Sequence, residues 1–206
     1  MKALACALLG AVLCSPLKLQ AIETSAKSAA LYCPQTQQFI YEKNDREKMG
    51  CASTTKILTA LVVIENMDPA QIVSIPSEAC GIEGSSLYLQ AGEQLSVRDL
   101  LYALMLRSAN DCAAALAIAC SGSIEAFTQK MNELASSIGA LDSHFENPHG
   151  LDGDEHYTTA HDLALIAAKA LENPLFCDIV STKSYTVDAP EGKRVLTNHN
   201  KLLWRY

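Results

Sequence analysis

The chain has 206 residues, 49% of them hydrophobic and 19% charged, which suits one globular domain with a sizeable core and excludes an intrinsically disordered chain. Its 16 Lys and Arg are outnumbered by 23 Asp and Glu, for a net charge of -7. No basic cluster is available to neutralise a phosphate backbone, so nucleic acid is not an expected partner.

Met1-Lys2 followed by an apolar run over 3–13, broken at Ser15-Pro16, reads as an export signal over 1–21, with Leu19-Gln20-Ala21 as the cleavage point. The run is too short to span a bilayer as a helix. Leu13 is too large to favour lipid attachment at Cys14. Residues 22–206 then form the mature domain, and export places it outside the cytoplasm, in the envelope or periplasm. Outside the signal, six cysteines remain and no C-x-x-C pair occurs. That spacing supports neither a metal nor a redox motif. Cys112 and Cys120 lie in Ala-rich helical contexts, where a thiol serves as a small hydrophobe.

Residues 28–34 and 38–43 read as a hairpin, and 44–50 as a charged loop. From Ser53 onward Ile57, Leu58, Ala60, Leu61, Val62, Val63 and Ile64 are apolar on nearly every side, which predicts a buried helix ended by Asp68-Pro69. A short strand is expected over 72–75 and a Gly- and Ser-rich loop over 81–92. Ser96 to Asp99 is a capping box opening a helix through Leu106. The pattern pauses at Ser108-Ala109-Asn110 and resumes over 111–120. Ser123 caps a further helix that Gly139 stops. After a turn at 147–150, Thr159 and Asp162 form a second capping box leading into 163–171, which Asn173-Pro174 ends. Strands over 184–187 and 194–197, joined by a turn at 188–193, close an α+β domain with a helix-rich centre.

Chemistry concentrates at two places. Ser53 stands at a helix start with Lys56 one turn on, so their side chains share a face. A serine hydroxyl needs a neighbour to take its proton, and a lysine can do so only where burial or positive charge lowers its pKa. The apolar helix and its N-terminal dipole both act in that direction. The four-residue pattern alone is weak, because Ser15-Pro16-Leu17-Lys18 matches it too and Ser53 also suits an ordinary N-cap. Ser108 and Asn110 place a hydroxyl and an amide at a helix junction, where Asn110 equally suits a cap. The five histidines include no H-E-x-x-H, so no metal site is expected. His149 is expected to orient the turn around it. The acidic turn at Asp152, Asp154 and Glu155 reads as a solvated loop.

S-x-x-K followed by S-x-N is a pattern of penicillin-binding proteins and serine β-lactamases. In Ala52 to Lys56, Glu83 to Leu87, Arg98 to Tyr102, Ser108 to Asp111, Asn147 to Asp152, Ser181 to Tyr185 and Thr197 to Leu203, the chain resembles the low-molecular-mass D-alanyl-D-alanine carboxypeptidases. The blocks fall in family order along nearly everything after the signal. The resemblance implies a β-lactamase/DD-peptidase fold, a helical cluster packed on an antiparallel sheet. It implies Ser53 as nucleophile, Lys56 as its base, Ser108 as proton relay to the leaving amine, and Asn110 as a substrate-binding residue that helps position Lys56. Expected ligands are the peptidoglycan pentapeptide stem and β-lactams, with no cofactor. The family's third element, K-T-G, occurs nowhere in the 206 residues. With it absent, the sequence is expected to be a truncated one lacking the last core strands and any C-terminal segment that could meet a membrane surface. A non-catalytic penicillin-binding fragment and, further off, a serine β-lactamase are the competing readings.

Overall fold

The computed structural model describes residues 23–189 and 192–205. The expected export signal at 1–21 lies outside the described residues.

One helix organises the core. α1 (Thr55–Asn66) carries Leu58, Ala60, Leu61, Val62 and Val63, each at most 1% exposed. A helix apolar on every side must be surrounded by protein. α1 meets α2 (Val97–Arg107), α3 (Asn110–Ser121), α4 (Ile124–Ile138), α5 (Ala160–Ala170) and α6 (Pro174–Ser181). On α3, Ala113, Ala115 and Ala117 are fully buried, and such small side chains let helices approach closely at interior packing density. α4 is amphipathic, burying Phe127 and Met131, and ends at Gly139 in the left-handed region. Among the described residues no single helix is long and apolar enough to cross a membrane.

Among the described residues the strands form three antiparallel ladders at the margins of this cluster, of two strands each: β1 (Ala29–Cys33) with β2 (Gln38–Lys43), β3 (Ile72–Ser74) with β4 (Gln94–Ser96), and β5 (Ser184–Ala189) with β6 (Gly192–Thr197). The first packs on α5 and the last on α2. Side-chain bonds fasten them. Arg194 on β6 forks onto Glu93 at 2.6 and 3.2 Å, and Tyr185 on β5 stacks on Tyr102 at 3.7 Å while donating to Asp99 at 2.8 Å.

The expected helices and hairpins are present, with local corrections. The capping box at Ser96 is complete, Ser96 Oγ accepting from Asp99 N and Asp99 Oδ2 accepting from Ser96 N. At Thr159 only half of one forms, because Asp162 turns to Asp142 N and Ser143 Oγ instead. α3 starts at Asn110, one residue earlier than expected, with Ala109 as N-cap. β3 ends at Ser74, and its partner β4 had no signal of its own. α6 was hidden in Asn173-Pro174. That pair ends α5, but Asn173 Oδ1 also accepts from Leu175 N and Phe176 N, with Pro174 in the first turn. The turn between β5 and β6 is tighter than 188–193, since pairing continues to Ala189 and Gly192. The six described cysteines are all free; Cys51 and Cys112 are buried, while Cys120 is half-buried.

Truncating Phe127 to alanine is expected to cost about 3–5 kcal/mol, and removing the Ser96 cap by Ser96→Ala about 1 kcal/mol. Urea denaturation measures both. Equal losses for the two would contradict a core centred on α1 and α4.

Candidate active site

Ser53 lies in a single 3-10 turn, Ala52–Thr54, that leads into α1. The turn closes through Thr54 N and Thr54 Oγ1, both donating to Cys51 O. Ala52 adopts φ 44, a left-handed conformation unusual for alanine. Neither the turn nor α1 has a side-chain cap, so Ser53 is not an N-cap. Its Oγ instead accepts from Lys56 Nζ at 3.2 Å.

Lys56 is only 2% exposed. Its Nζ has a second acceptor, the backbone carbonyl of His149. Burial among apolar helices disfavours the ammonium and lowers its pKa to about 8. The carbonyl comes from the turn at 147–150, which three features press onto α1. Thr59 Oγ1 donates to Pro148 O at 2.7 Å. Asn147 Oδ1 accepts from Gly150 N at 2.7 Å, while its Nδ2 donates to Leu151 O at 2.8 Å. Gly150 has φ +89, and a Cβ built there would lie 1.8 Å from Ala52 O. His149 does orient this turn, its Nδ1 accepting from Leu151 N at 3.2 Å. Burial first, then the nearby Lys56 and His156, lower the His149 pKa to about 4, so its ring is neutral at pH 7.

The second pair sits at the α2–α3 junction. Ser108 is the C-cap of α2 with φ 58. Asn110 is 4% exposed. Its side chain does not cap α3: Nδ2 donates to Glu83 O at 2.6 Å and the backbone N to Ser85 O at 2.7 Å. The turn there needs Gly84, φ +93, since a Cβ would sit 2.8 Å from Asn110 Nδ2. Ser53 and Lys56 are thus in direct contact, and Ser108 and Asn110 flank the junction of two helices that pack on α1. Among the described residues no hydrogen bond joins the two pairs, and the partners of Lys56 are Ser53 and His149.

Sequence reasoning missed the supporting residues. Asp111, fully buried, accepts from Ser86 Oγ (2.6 Å), Leu87 N, Leu89 N and Cys112 N, and so shapes the loop that holds Asn110. Thr59, Gly150 and the His149 carbonyl act only through chain crossings that local sequence does not encode. Asp152, Asp154 and Glu155 are exposed, as a solvated turn should be. Glu42, Asp45 and His161 bring potential ligand atoms within 4.8 Å of one another. Arg46 Nη2 lies 3.1 Å from His161 Nε2, however, and its charge opposes a cation there.

The same arrangement of helices recurs in solved structures. A D-alanyl-D-alanine carboxypeptidase from Mycobacterium tuberculosis superposes with a TM-score of 0.83 at 30% identity, covering 88% of this chain and 69% of that one. Penicillin binding protein 6B from Escherichia coli gives 0.83 at 31% identity, covering 92% of this chain and 62% of that one. The fold is that of the penicillin-binding DD-peptidases. The sequence matches the profile of the D-alanyl-D-alanine carboxypeptidase family, peptidase S11, over residues 16–206, and the chain belongs to that family. Curated relatives include the D-alanyl-D-alanine carboxypeptidases DacF of Bacillus subtilis, 34% identical over 88% of this chain, and DacD of Escherichia coli, 33% identical over 92%. The chain spans about half the length of these two relatives, 48% and 51% respectively.

Replacing Gly150 by alanine is expected to force Ala52 and the turn at 147–150 apart. The variant should lose several kcal/mol of stability, on the order of an overpacked core site or more. A urea midpoint unchanged from the parent chain would contradict the close approach at Ala52 O.

Proposed function

We propose that this chain carries the acylation machinery of a serine D-Ala-D-Ala carboxypeptidase, one that trims peptidoglycan pentapeptides and is acylated by penicillins. The observation that supports it most is the contact of Ser53 Oγ with the buried Lys56 Nζ at 3.2 Å. With a pKa of about 8, Lys56 is a free amine in about a tenth of molecules at pH 7. That amine takes the Ser53 proton as Oγ attacks the carbonyl carbon of the penultimate D-alanine. The Ser53 backbone N–H, with the positive end of the α1 dipole behind it, stabilises the negative charge that develops on the carbonyl oxygen. Collapse of the tetrahedral intermediate breaks the peptide bond, Ser108 passes a proton to the departing amine, and free D-alanine leaves. Water then hydrolyses the ester and returns Ser53. Asn110, turned by its Nδ2 toward Glu83, offers its Oδ1 side to a substrate amide.

Residues 1–21 fit an export signal, which would deliver the domain 22–206 to the envelope, where this substrate is found. The K-T-G lysine that binds the substrate carboxylate in the family pattern has no counterpart in the 206 residues. The competing reading is penicillin binding without turnover.

A fluorescent penicillin separates these readings. Covalent labelling of this chain, abolished in Ser53→Ala, is expected, and release of D-alanine from a pentapeptide distinguishes turnover from binding alone. Labelling that survives Ser53→Ala would overturn the assignment of the nucleophile. The rate of labelling should climb about tenfold between pH 7 and pH 9, following the free-amine fraction of a group with pKa about 8. A flat profile over that interval counts against Lys56 as the base.

A further inference from the structure

A buried polar chain runs beneath the Ser53 turn and takes no part in the chemistry proposed above. Cys51 Sγ lies 3.1 Å from Thr55 Oγ1, and Thr55 Oγ1 lies 2.9 Å from His156 Nε2. All three residues are buried, at 7%, 1% and 6% exposure. The direction of this chain follows from its far end. His156 Nδ1 accepts from the backbone N–H of Glu146 at 3.1 Å, so Nδ1 carries a lone pair and no proton. Burial, the first cause of its lowered pKa, keeps the ring neutral. The proton of the neutral ring therefore sits on Nε2 and is donated to Thr55 Oγ1. Nε2–H cannot also accept, so the Thr55 proton is left available to Cys51 Sγ at 3.1 Å, a contact in which either atom can donate.

Cys51 and Thr55 bracket Ser53, two residues away on either side. Between them lies the left-handed Ala52, whose carbonyl oxygen abuts Gly150. Gly150 also faces the same hydroxyl, 3.0 Å from Thr55 Oγ1 to a Cβ built on it. The backbone here is strained, and such a conformation persists only where its surroundings over-determine it.

We propose that His156 is a positioning residue, which through Thr55 and Cys51 fixes the turn that aims Ser53 Oγ at Lys56. This rests on the reading of Ser53 as nucleophile and adds a residue that never touches substrate. A displacement of about 1 Å at a reacting group can cost on the order of 100-fold in rate. The donor lost in His156→Leu should therefore lower the rate of penicillin acylation by about 10–100-fold, while the affinity of the non-covalent complex changes little. His156→Gln, which returns an N–H near the Nε2 position, should recover most of the rate. Thr55→Val should cost as much as His156→Leu, and the double variant no more than either alone, since both cut one chain.

Stopped-flow labelling at several penicillin concentrations separates the two constants, and thermal melting confirms that each variant is folded. Additive losses, or a variant whose affinity falls while its acylation rate holds, would overturn the proposal. Two measurements decide it without activity. Long-range 15N NMR should find His156 protonated on Nε2, and a proton on Nδ1 sinks the idea. A crystal structure of His156→Leu should show Ser53 Oγ and Lys56 Nζ beyond hydrogen-bonding distance, whereas an unchanged separation near 3.2 Å refutes it. A parent chain that no penicillin labels would count against the nucleophile assignment, and these two structural readouts would still decide the positioning role.

Discussion

A lysine side chain held almost wholly out of water needs acceptors for its amine, and the rest of this site is arranged around supplying them. Lys56 reaches inward from the first turn of a helix surrounded by five others, where it is 2% exposed and, among the described residues, pairs with no carboxylate. A buried carboxylate would pair with the ammonium and raise its pKa, whereas a hydroxyl and a carbonyl leave desolvation dominant. Meeting the second requirement draws in a turn 93 residues further along the chain. That turn can reach the amine only because Gly150 has no Cβ to strike Ala52.

A different solution holds the other wall. Asp111 is a carboxylate with no exposure, and an unpaired buried charge would be strongly destabilising. Three backbone N–H groups and a hydroxyl converge on it, two of the donors coming from alternate residues of a single loop. Charge-assisted bonds of this kind are among the stronger ones a protein makes. The loop so gathered presents the carbonyls of Glu83 and Ser85 to Asn110. The amide is thus aimed by a backbone that its own neighbour in sequence has shaped.

Much of this was legible in one dimension. α1 announced itself because an all-round apolar helix has no other home than a core, and Ser96 and Ser123 announced helix starts because their hydroxyls accept from backbone N–H groups three residues on. Ser53 and Lys56 share a face by their i, i+3 spacing, but Ser15 and Lys18 share that spacing too, and only the flanking blocks that resemble the carboxypeptidases set the first pair apart. What stayed hidden was every contact between distant segments. Nothing local marks Thr59 as a clamp for Pro148, or Asp111 as more than a first-turn acid. α6 is hidden for another reason: Asn173-Pro174 is a helix stop and a helix start at once, and the same two residues signal both. Asp162 matched a capping box by spacing, but tertiary donors at Asp142 and Ser143 outcompeted the local one.

Ala52 and Ser108, one at each motif, share a backbone conformation that L-residues adopt at a cost of roughly 1–2 kcal/mol. Glycine would relieve it at both, at the loss of the Ser108 hydroxyl and of rigidity at Ala52. The two motifs are therefore places where selection for stability and selection for chemistry pull apart.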